Sequence, residues 1–299
     1  MNVGDALLDL ARSGERSSLF VVGTGKNVGK TVTMRAIARA ASTRRLVVGV
    51  TSTGRDGEAV DASDAMAKPR LFLTPGTIVA TARHLLSVHP ASEVLELSTW
   101  ETAAGPVLFA RVRRAGYFEL AGPATASGVR HCVDRFATLG CEQIVVDGAL
   151  DRVAALAGGD DSVILAVGAS AARTMDEAVD DARALAARLQ LPAVDPSQPS
   201  LRIDGALTAA RAAQLAASRE QRQIVVRDPT QIAIGGKALL GAAQALQLRC
   251  ERPLRVVAAT IASIGRDAYF EPRAFARAVA EATGLPTFDV YAGAAQGAA

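Results

Sequence analysis

Lysine is rare in this sequence, and half of the lysines lie in one glycine-rich segment. Only four of the 33 basic residues are lysines, and two of them, Lys26 and Lys30, fall within residues 23–31. A lysine ammonium is a compact point charge, whereas the guanidinium of arginine is a planar fork. The use of lysine here indicates that the segment needs a compact cation, such as one that contacts the outer phosphates of a nucleotide.

The same segment has the composition of a phosphate-binding loop. It follows the apolar run 19–22 and precedes a helical pattern, so its glycines lie between a strand and a helix N-terminus. Glycines let successive backbone N–H groups converge on phosphate oxygens, and the hydroxyl of Thr31 would bind Mg²⁺. An ordinary glycine turn would need neither Lys30 nor Thr31. We therefore predict a nucleotide-binding loop made of Gly23, Thr24, Gly25, Lys26, Asn27, Val28, Gly29, Lys30 and Thr31.

A carboxylate at the end of a second apolar run completes the predicted site. Asp147 follows the run 143–146 and precedes Gly148, which would let the backbone pass close to a ligand. P-loop proteins hold the Mg²⁺ shell with an acidic residue at such a strand end. We predict that Lys30 and Asp147 are catalytic and that Asp147 and Thr31 bind Mg²⁺. The alternative is that Asp147 caps a helix starting near Leu150.

Two further acidic regions have more open interpretations. Asp56 lies between two glycines after the second predicted strand, where ligands bind in parallel sheets, so we predict it as a third Mg²⁺ ligand. The acidic residues after it would share one face of a solvated helix: Glu58, Asp61 and Asp64. Glu101 is either a catalytic carboxylate or the partner of Ser98 in a helix capping box.

The residues that the sequence lacks narrow the choice of nucleotide. Asparagine occurs only at Asn2 and Asn27, so the Asn-Lys-x-Asp signature of guanine-specific P-loop proteins is missing. ATP is therefore favoured by default, with Mg²⁺ as its metal. Lys26 has two interpretations, a phosphate contact or a solvated loop charge.

Composition argues against several classes of partner. The arginines are spread along the chain without a basic run or interleaved aromatics, so we expect no nucleic-acid partner. No apolar stretch approaches the roughly 18 residues of a membrane span. Asp5 and Asp9 lie where a signal peptide would carry basic residues, so we expect a cytoplasmic protein. The three cysteines have no paired spacing and are predicted to be reduced core residues: Cys132, Cys141 and Cys250.

The order of apolar runs and helical patterns predicts an α/β fold. Strand-like runs at 19–22, 46–50, 143–149 and 162–168 alternate with alanine-rich helical patterns, which is typical of a parallel sheet with helices on both faces. Residues 106–123 interrupt this order with two strand-like runs, which predict a hairpin insertion. In the first helix the following residues are spaced to share one face: Met34, Ile37, Ala38 and Ala41.

A proline-rich segment divides the sequence. Residues 191–200 contain three prolines and two serines, after a helix that opens with the capping-box spacing of Thr174 and Glu177. We predict a P-loop nucleotide-binding domain over 1–195 and a C-terminal α/β region over 196–299. The C-terminal region is either a second α/β unit or a set of strands added to one sheet. Asp-Gly-Ala-Leu occurs twice, and two copies do not establish a repeat.

The loop resembles a known variant of the P-loop. Gly23 and Gly29 enclose five residues where the commonest form has four, with Thr24 at the usual first-glycine position. The spelling Gly-Thr-x-x-x-Val-Gly-Lys-Thr resembles the loop of dethiobiotin synthetases and their relatives in the SIMIBI class of P-loop NTPases. Across about residues 19–235, the blocks "GKNVGKT", "TSTGRDGE", "ELAGP", "VDGALDR" and "IDGALT" resemble the P-loop subunit of reactivases for adenosylcobalamin-dependent lysine 5,6-aminomutase.

This resemblance implies a chaperone-like function. The chain would be a Mg²⁺-dependent, ATP-binding and ATP-hydrolysing subunit of a factor that releases damaged cobalamin. It would act with a larger ATPase subunit on a cobalamin-dependent aminomutase, and a homodimer is a further assembly to test. The arginine-rich composition leaves the client enzyme open. The alternatives are an ATP-dependent ligase of the dethiobiotin-synthetase type and a nucleotide-binding subunit without turnover.

Overall fold

The computed structural model of the protein describes residues 2–14, 17–53, 70–87, 91–102, 105–148, 156, 161–266 and 268–292. The described residues within Met1–Val22 and Lys30–Ala155 form one compact unit, unit 1, and those within Gly23–Gly29 and Leu156–Ala292 form unit 2. Both units contain parallel strands together with helices, which confirms the predicted α/β class. Unit 2 contains both sides of the proline-rich segment, and the domain division near residue 195 stays a prediction.

Unit 1 is built on six sheet strands in the order β1-β8-β2-β4-β6-β5. The first four are parallel, and β6 and β5 continue the sheet antiparallel. Its strands are β1 (Ser18–Gly23), β2 (Val48–Ser52), β3 (Arg70–Leu73), β4 (Ile78–Ala82), β5 (Ser92–Thr102), β6 (Gly105–Val112), β7 (Gly116–Glu119) and β8 (Gln143–Gly148). Its helices are α1 (Val3–Arg12), α2 (Lys30–Thr43), α3 (Arg83–Ser87) and α4 (Ala126–Thr138).

Local sequence explains why the central elements of unit 1 form where they do. Strand β1 consists of apolar and small residues and is buried along its whole length, as expected for a strand covered on both faces. The predicted apolar face of α2 is buried, which confirms the helical spacing of Met34, Ile37, Ala38 and Ala41. Helix α4 begins where the Thr125 side chain accepts a hydrogen bond from Gly128 N.

The structure corrects the hairpin predicted over residues 106–123. Strands β6 and β7 form at this position, but β6 pairs with β4 and β5, whereas β7 pairs with β3. Both edges of β6 are occupied by those neighbours, so β7 joins β3, where Phe72 and Tyr117 pack edge to face with ring centroids 5.2 Å apart. The antiparallel hairpin at this edge is therefore formed by β5 and β6.

Unit 2 contains three sets of paired parallel strands. Strands β9 (Ser162–Gly168), β15 (Arg255–Ala262) and β16 (Thr287–Asp289) are parallel neighbours in the order β16-β15-β9. A smaller sheet has the order β10-β12-β14, from β10 (Ser200–Arg202), β12 (Gln223–Val226) and β14 (Leu248–Cys250). A third set is the parallel pair β11 (Leu207–Thr208) and β13 (Ile232–Ala233). The α-helices of unit 2 are α5 (Met175–Leu189), α6 (Ala209–Ala217), α7 (Gly236–Ala245) and α8 (Pro272–Thr283).

The C-terminal third of the chain therefore combines both arrangements that the sequence left open. The small sheet has its own core, which includes the buried side chains of Leu207, Ile224 and Ile232. Strands β15 and β16, in contrast, extend the sheet that begins with β9. The three cysteines are free and buried, which confirms their predicted place in the core. Burial raises the pKa of the Cys132 and Cys141 thiols to about 12.

Candidate functional site

The predicted loop and the predicted acidic residue start from the same edge of the unit 1 sheet. Strands β1 and β8 are parallel neighbours, with Val21 opposite Asp147 and Val22 opposite Gly148. The carboxyl ends of parallel strands are where ligands bind in α/β sheets. Lys30 and Thr31 are the first two residues of α2, which begins one residue after Gly29, where the sequence predicts the helix to start. Gly23 ends β1, and residues 24–29 connect it to the helix.

The loop backbone has the conformation that lets N–H groups converge. Asn27 has φ of 58° and Gly29 has φ of 92°, so left-handed residues flank Val28. Such alternation is typical of the concave backbone nests that bind anions. Within unit 2, Val28 is buried, and a Cβ on Gly168 would lie only 2.5 Å from the Val28 Cα. Position 168, at the end of β9, therefore needs glycine, because a larger side chain would displace Val28 of the loop.

Two side-chain oxygens at these positions are buried without a hydrogen-bond partner among the described residues. They are Oγ1 of Thr24 and Oδ1 of Asp147. The Thr24 backbone N–H is satisfied, since it donates to Ala166 O at 3.0 Å. An unpaired buried polar atom costs about 1–3 kcal/mol. Such atoms in a native structure call for an explanation, and one explanation is a bound ligand that completes the hydrogen bonding.

The environment of Asp147 perturbs its ionisation. Loss of solvent raises the pKa of this carboxyl to about 6, while the positive charge of Lys30 acts in the opposite direction. The main chain of Asp147 is held by Thr53, whose N–H donates to Asp147 O at 2.8 Å and whose hydroxyl donates to it at 3.2 Å. A carboxylate that is short of solvent and hydrogen bonds is stabilised by a cation. The residues that Asp147 would cap lie outside the described part of the chain, so the capping alternative stays a prediction.

The side chains fit Mg²⁺ bound together with phosphates. Mg²⁺ takes oxygen ligands and is usually held by one or two carboxylates plus waters and substrate phosphates. Among the described residues, no group of three or more His, Cys, Asp or Glu side chains could hold a metal. Thr31 and Asp147 would therefore contribute part of the shell and the phosphates another part. Asp56 lies outside the described residues, as do Glu58, Asp61 and Asp64, and its metal role stays a prediction.

Glu101 lies on a strand and not at a helix start. It belongs to β5, opposite Pro106 of β6, and its side chain is exposed. The Ser98 hydroxyl accepts a hydrogen bond from Trp100 N at 3.1 Å. The capping-box interpretation is wrong because a capping box requires the first turn of a helix. The catalytic role of Glu101 stays a prediction, as does a phosphate contact for the exposed Lys26.

A second polar region, which no motif in the sequence indicates, lies in unit 2. A cleft of about 530 Å³ is lined by Ala169–Ala172, Arg173, Glu177, Arg266 and Ala268. Its walls follow the carboxyl ends of β9 and β15. The position of these residues after two strands is the signal in the sequence that could have indicated the region, because ligands bind beyond the carboxyl ends of parallel strands. We call this region the arginine cleft.

Comparison of the sequence with protein-family models and with curated proteins finds no match. Within the part of the chain that the structure describes, every helix is too short or too polar to span a bilayer.

Proposed function

We propose that this protein is a SIMIBI-like P-loop NTPase that binds a Mg²⁺–nucleoside triphosphate through residues 23–31 and hydrolyses it. The observation that carries this proposal is Asp147, whose buried Oδ1 lacks a partner among the described residues. This carboxylate ends a buried strand, beside the strand that leads into the glycine-rich loop. The charge of Lys30 acts on it, as expected for two groups that would contact the same phosphate–metal unit.

Each residue has a defined part in the proposed site. The loop N–H groups and Lys30 would bind phosphate oxygens, and the start of α2 would add the positive end of its helix dipole. The Thr31 hydroxyl and the Asp147 carboxylate would hold Mg²⁺. When bound, that metal would offset the charge of the phosphates. The raised pKa of Asp147 supports this assignment, because residues with perturbed ionisation cluster at functional sites.

The broader role that we propose is that of a subunit of a reactivating factor for a cobalamin-dependent aminomutase. The support for it is the ordered set of sequence blocks, of which residues 25–31 are one. In this role the larger ATPase subunit or the client must bind one nucleotide state better than another, because equal affinity would shift no equilibrium. The cytoplasm is the compartment that we propose for this activity. In the proposed site the loop would contact phosphates and not the base, so the proposal does not depend on the base, for which ATP is the prediction from sequence.

The proposed nucleotide site is tested by replacing Lys30. We expect Lys30→Ala to weaken Mg²⁺–nucleotide binding by about 100-fold, measured by calorimetry, because a charge-assisted phosphate contact is lost. Arg39→Ala is the control, since Arg39 is an exposed cation further along the same helix. It should bind as the wild type does. No binding at millimolar nucleotide, or equal binding by Lys30→Ala, would overturn the proposal.

The broader role is tested by measuring hydrolysis and cobalamin release together. We expect slow hydrolysis by the isolated chain, and faster hydrolysis with release of cobalamin once the larger subunit and an inactivated aminomutase are added. The spelling of residues 23–31 also favours a ligase of the dethiobiotin-synthetase type. Fast hydrolysis driven by a small carboxylate, without any protein partner, would establish that alternative. Tight binding without turnover under either condition would indicate a binding subunit.

A further inference from the structure

The arginine cleft has the size and lining of a ligand site. Its volume of about 530 Å³ lies within the usual range for small-molecule pockets. Small side chains form one wall, Ala169–Ala172, and leave room for a planar group. Two guanidinium groups, those of Arg173 and Arg266, also line it. Neither has a side-chain hydrogen bond or ion pair with any described residue.

The wall of this cleft also contacts the phosphate-binding loop. A Cβ on Gly25 would lie 2.9 Å from the Ala171 Cβ, so the loop and the turn after β9 are in direct contact. A Cβ on Gly265 would likewise lie 2.8 Å from the carbonyl carbon of Ala169, so the segment after β15 also packs against this turn. Ala171 therefore lines the cleft and also adjoins the loop. This contact makes the cleft the candidate position for the base of a nucleotide whose phosphates bind the loop.

The polar groups of the cleft match one purine better than the other. Guanine presents two acceptors, O6 and N7, and arginine is the commonest side chain that donates to them. Its N1–H and N2–H₂ groups are donors and need an acceptor such as a carboxylate. Adenine is instead matched by asparagine or glutamine, and neither lines the cleft.

Glu177 is placed to act as that acceptor. Its Oε2 accepts a hydrogen bond from the Arg173 backbone N–H at 2.9 Å, which fixes the side chain over the start of α5. The Thr174 hydroxyl accepts from Glu177 N at 3.2 Å. Hydrogen bonds of the helix cap therefore fix both the side chain and the main chain of Glu177. A carboxylate has two oxygens, and Oε1 of Glu177 has no hydrogen bond with a described residue.

We infer that the arginine cleft binds the base of the nucleotide and selects guanine over adenine. Arg173 and Arg266 supply donors to O6 and N7, and Glu177 accepts from N1 and N2. This inference rests on the proposed nucleotide site and replaces the ATP prediction, which depended only on a missing signature. GTP is then the preferred triphosphate.

The test compares three probes with the same protein: GTP, ATP and inorganic tripolyphosphate, each with Mg²⁺ in calorimetry. We expect wild type to bind GTP about tenfold more tightly than ATP, the range of one base-specific contact. Glu177→Gln should abolish this preference, because an amide presents a donor where guanine also presents one. Glutamine is accepted in a capping box, so the helix start should persist. Glu281→Gln, on the exposed face of α8, is the matched control and should retain the preference.

A second variant separates base recognition from folding and from phosphate binding. Arg266→Ala should weaken GTP binding about tenfold and leave tripolyphosphate binding unchanged. Arg211→Ala, at an exposed position on α6, should change neither. Equal affinity for GTP and ATP in wild type, while tripolyphosphate binds and Lys30→Ala weakens that binding, would overturn this inference alone. Failure of tripolyphosphate and both nucleotides to bind would overturn the proposed function and this inference together.

Discussion

Strands β8 and β12 begin with the same four residues, Gln-Ile-Val-Val, and both are buried central strands of a parallel arrangement. The amide nitrogens of their glutamines each donate to a main-chain carbonyl. Gln143 Nε2 donates to Ser17 O at 2.8 Å, and Gln223 Nε2 donates to Asp195 O at 2.9 Å. The two strands differ in the aspartate that follows, and this difference separates a structural carboxylate from one suited to a ligand.

Asp228, after β12, has its hydrogen-bonding capacity used within the protein. Its Oδ1 accepts from Thr230 N at 3.0 Å and from the Thr230 hydroxyl, and its Oδ2 accepts from Arg227 Nε at 3.0 Å. Asp147, at the end of β8, has an oxygen without a partner among the described residues and a pKa raised to about 6. The comparison shows that an aspartate after an apolar strand is interpretable only when its oxygens are accounted for.

The largest effect should come from Asp147→Asn. We expect hydrolysis to fall by about 100-fold to 1,000-fold, the range seen when one electrostatic contact to a transition state is removed. Circular dichroism and a thermal unfolding curve should show an intact fold. Retained hydrolysis, combined with a stability loss of about 0.5–2 kcal/mol in the alanine variant, would instead support the capping interpretation.

Without Mg²⁺, the same residue should make stability depend on pH. The native pKa of Asp147, about 6, lies above the ordinary value of 3.8, so the native state binds the proton more tightly than the unfolded state. The unfolding free energy of wild type relative to Asp147→Asn should therefore fall by about 2–3 kcal/mol between pH 4 and about pH 6 and level off above that range. Urea unfolding in chelator at several pH values measures it. A difference that rises with pH would contradict the raised pKa.

Asp228→Ala should affect stability and not function. We expect a loss of about 2 kcal/mol in urea unfolding, because a buried carboxylate that caps a turn is removed and its donors lose their acceptor. Nucleotide binding should remain at the wild-type level. Asp228→Asn is the milder control, since asparagine also accepts from the turn N–H. Loss of nucleotide binding in the folded alanine variant would erase the distinction between the two aspartates.

The smallest effect should come from Asp204, which shares the letters Asp-Gly-Ala-Leu with Asp147 but is exposed. We expect Asp204→Asn to change stability by less than about 0.5 kcal/mol and to leave hydrolysis unchanged. A thermal melt and a steady-state assay are sufficient. A large loss of hydrolysis would show that the repeated letters reflect a shared role and that the exposure of Asp204 does not distinguish it from Asp147.

Local features of the sequence predicted much of the fold correctly. The run at 162–168 forms β9 with the same limits, and the Thr174 capping box starts α5. These features depend on neighbours in the chain, namely the alternation of side chains and the hydrogen bonds of a helix cap. The pairing of β6 with β4 and β5 was not predictable in this way, because it depends on which distant strands occupy its edges.

The features of the candidate site likewise fall into those that depend on local sequence and those that depend on the fold. The sequence by itself determined the residue types of the loop, the lysine and threonine at its end, and the aspartate after an apolar strand. Only the tertiary structure decided that Asp147 has a buried oxygen without a partner among the described residues whereas Asp228 does not, and that Arg173 and Arg266 line one cleft. The physical reason is that burial and hydrogen-bond satisfaction depend on groups that the fold brings together from distant positions in the chain.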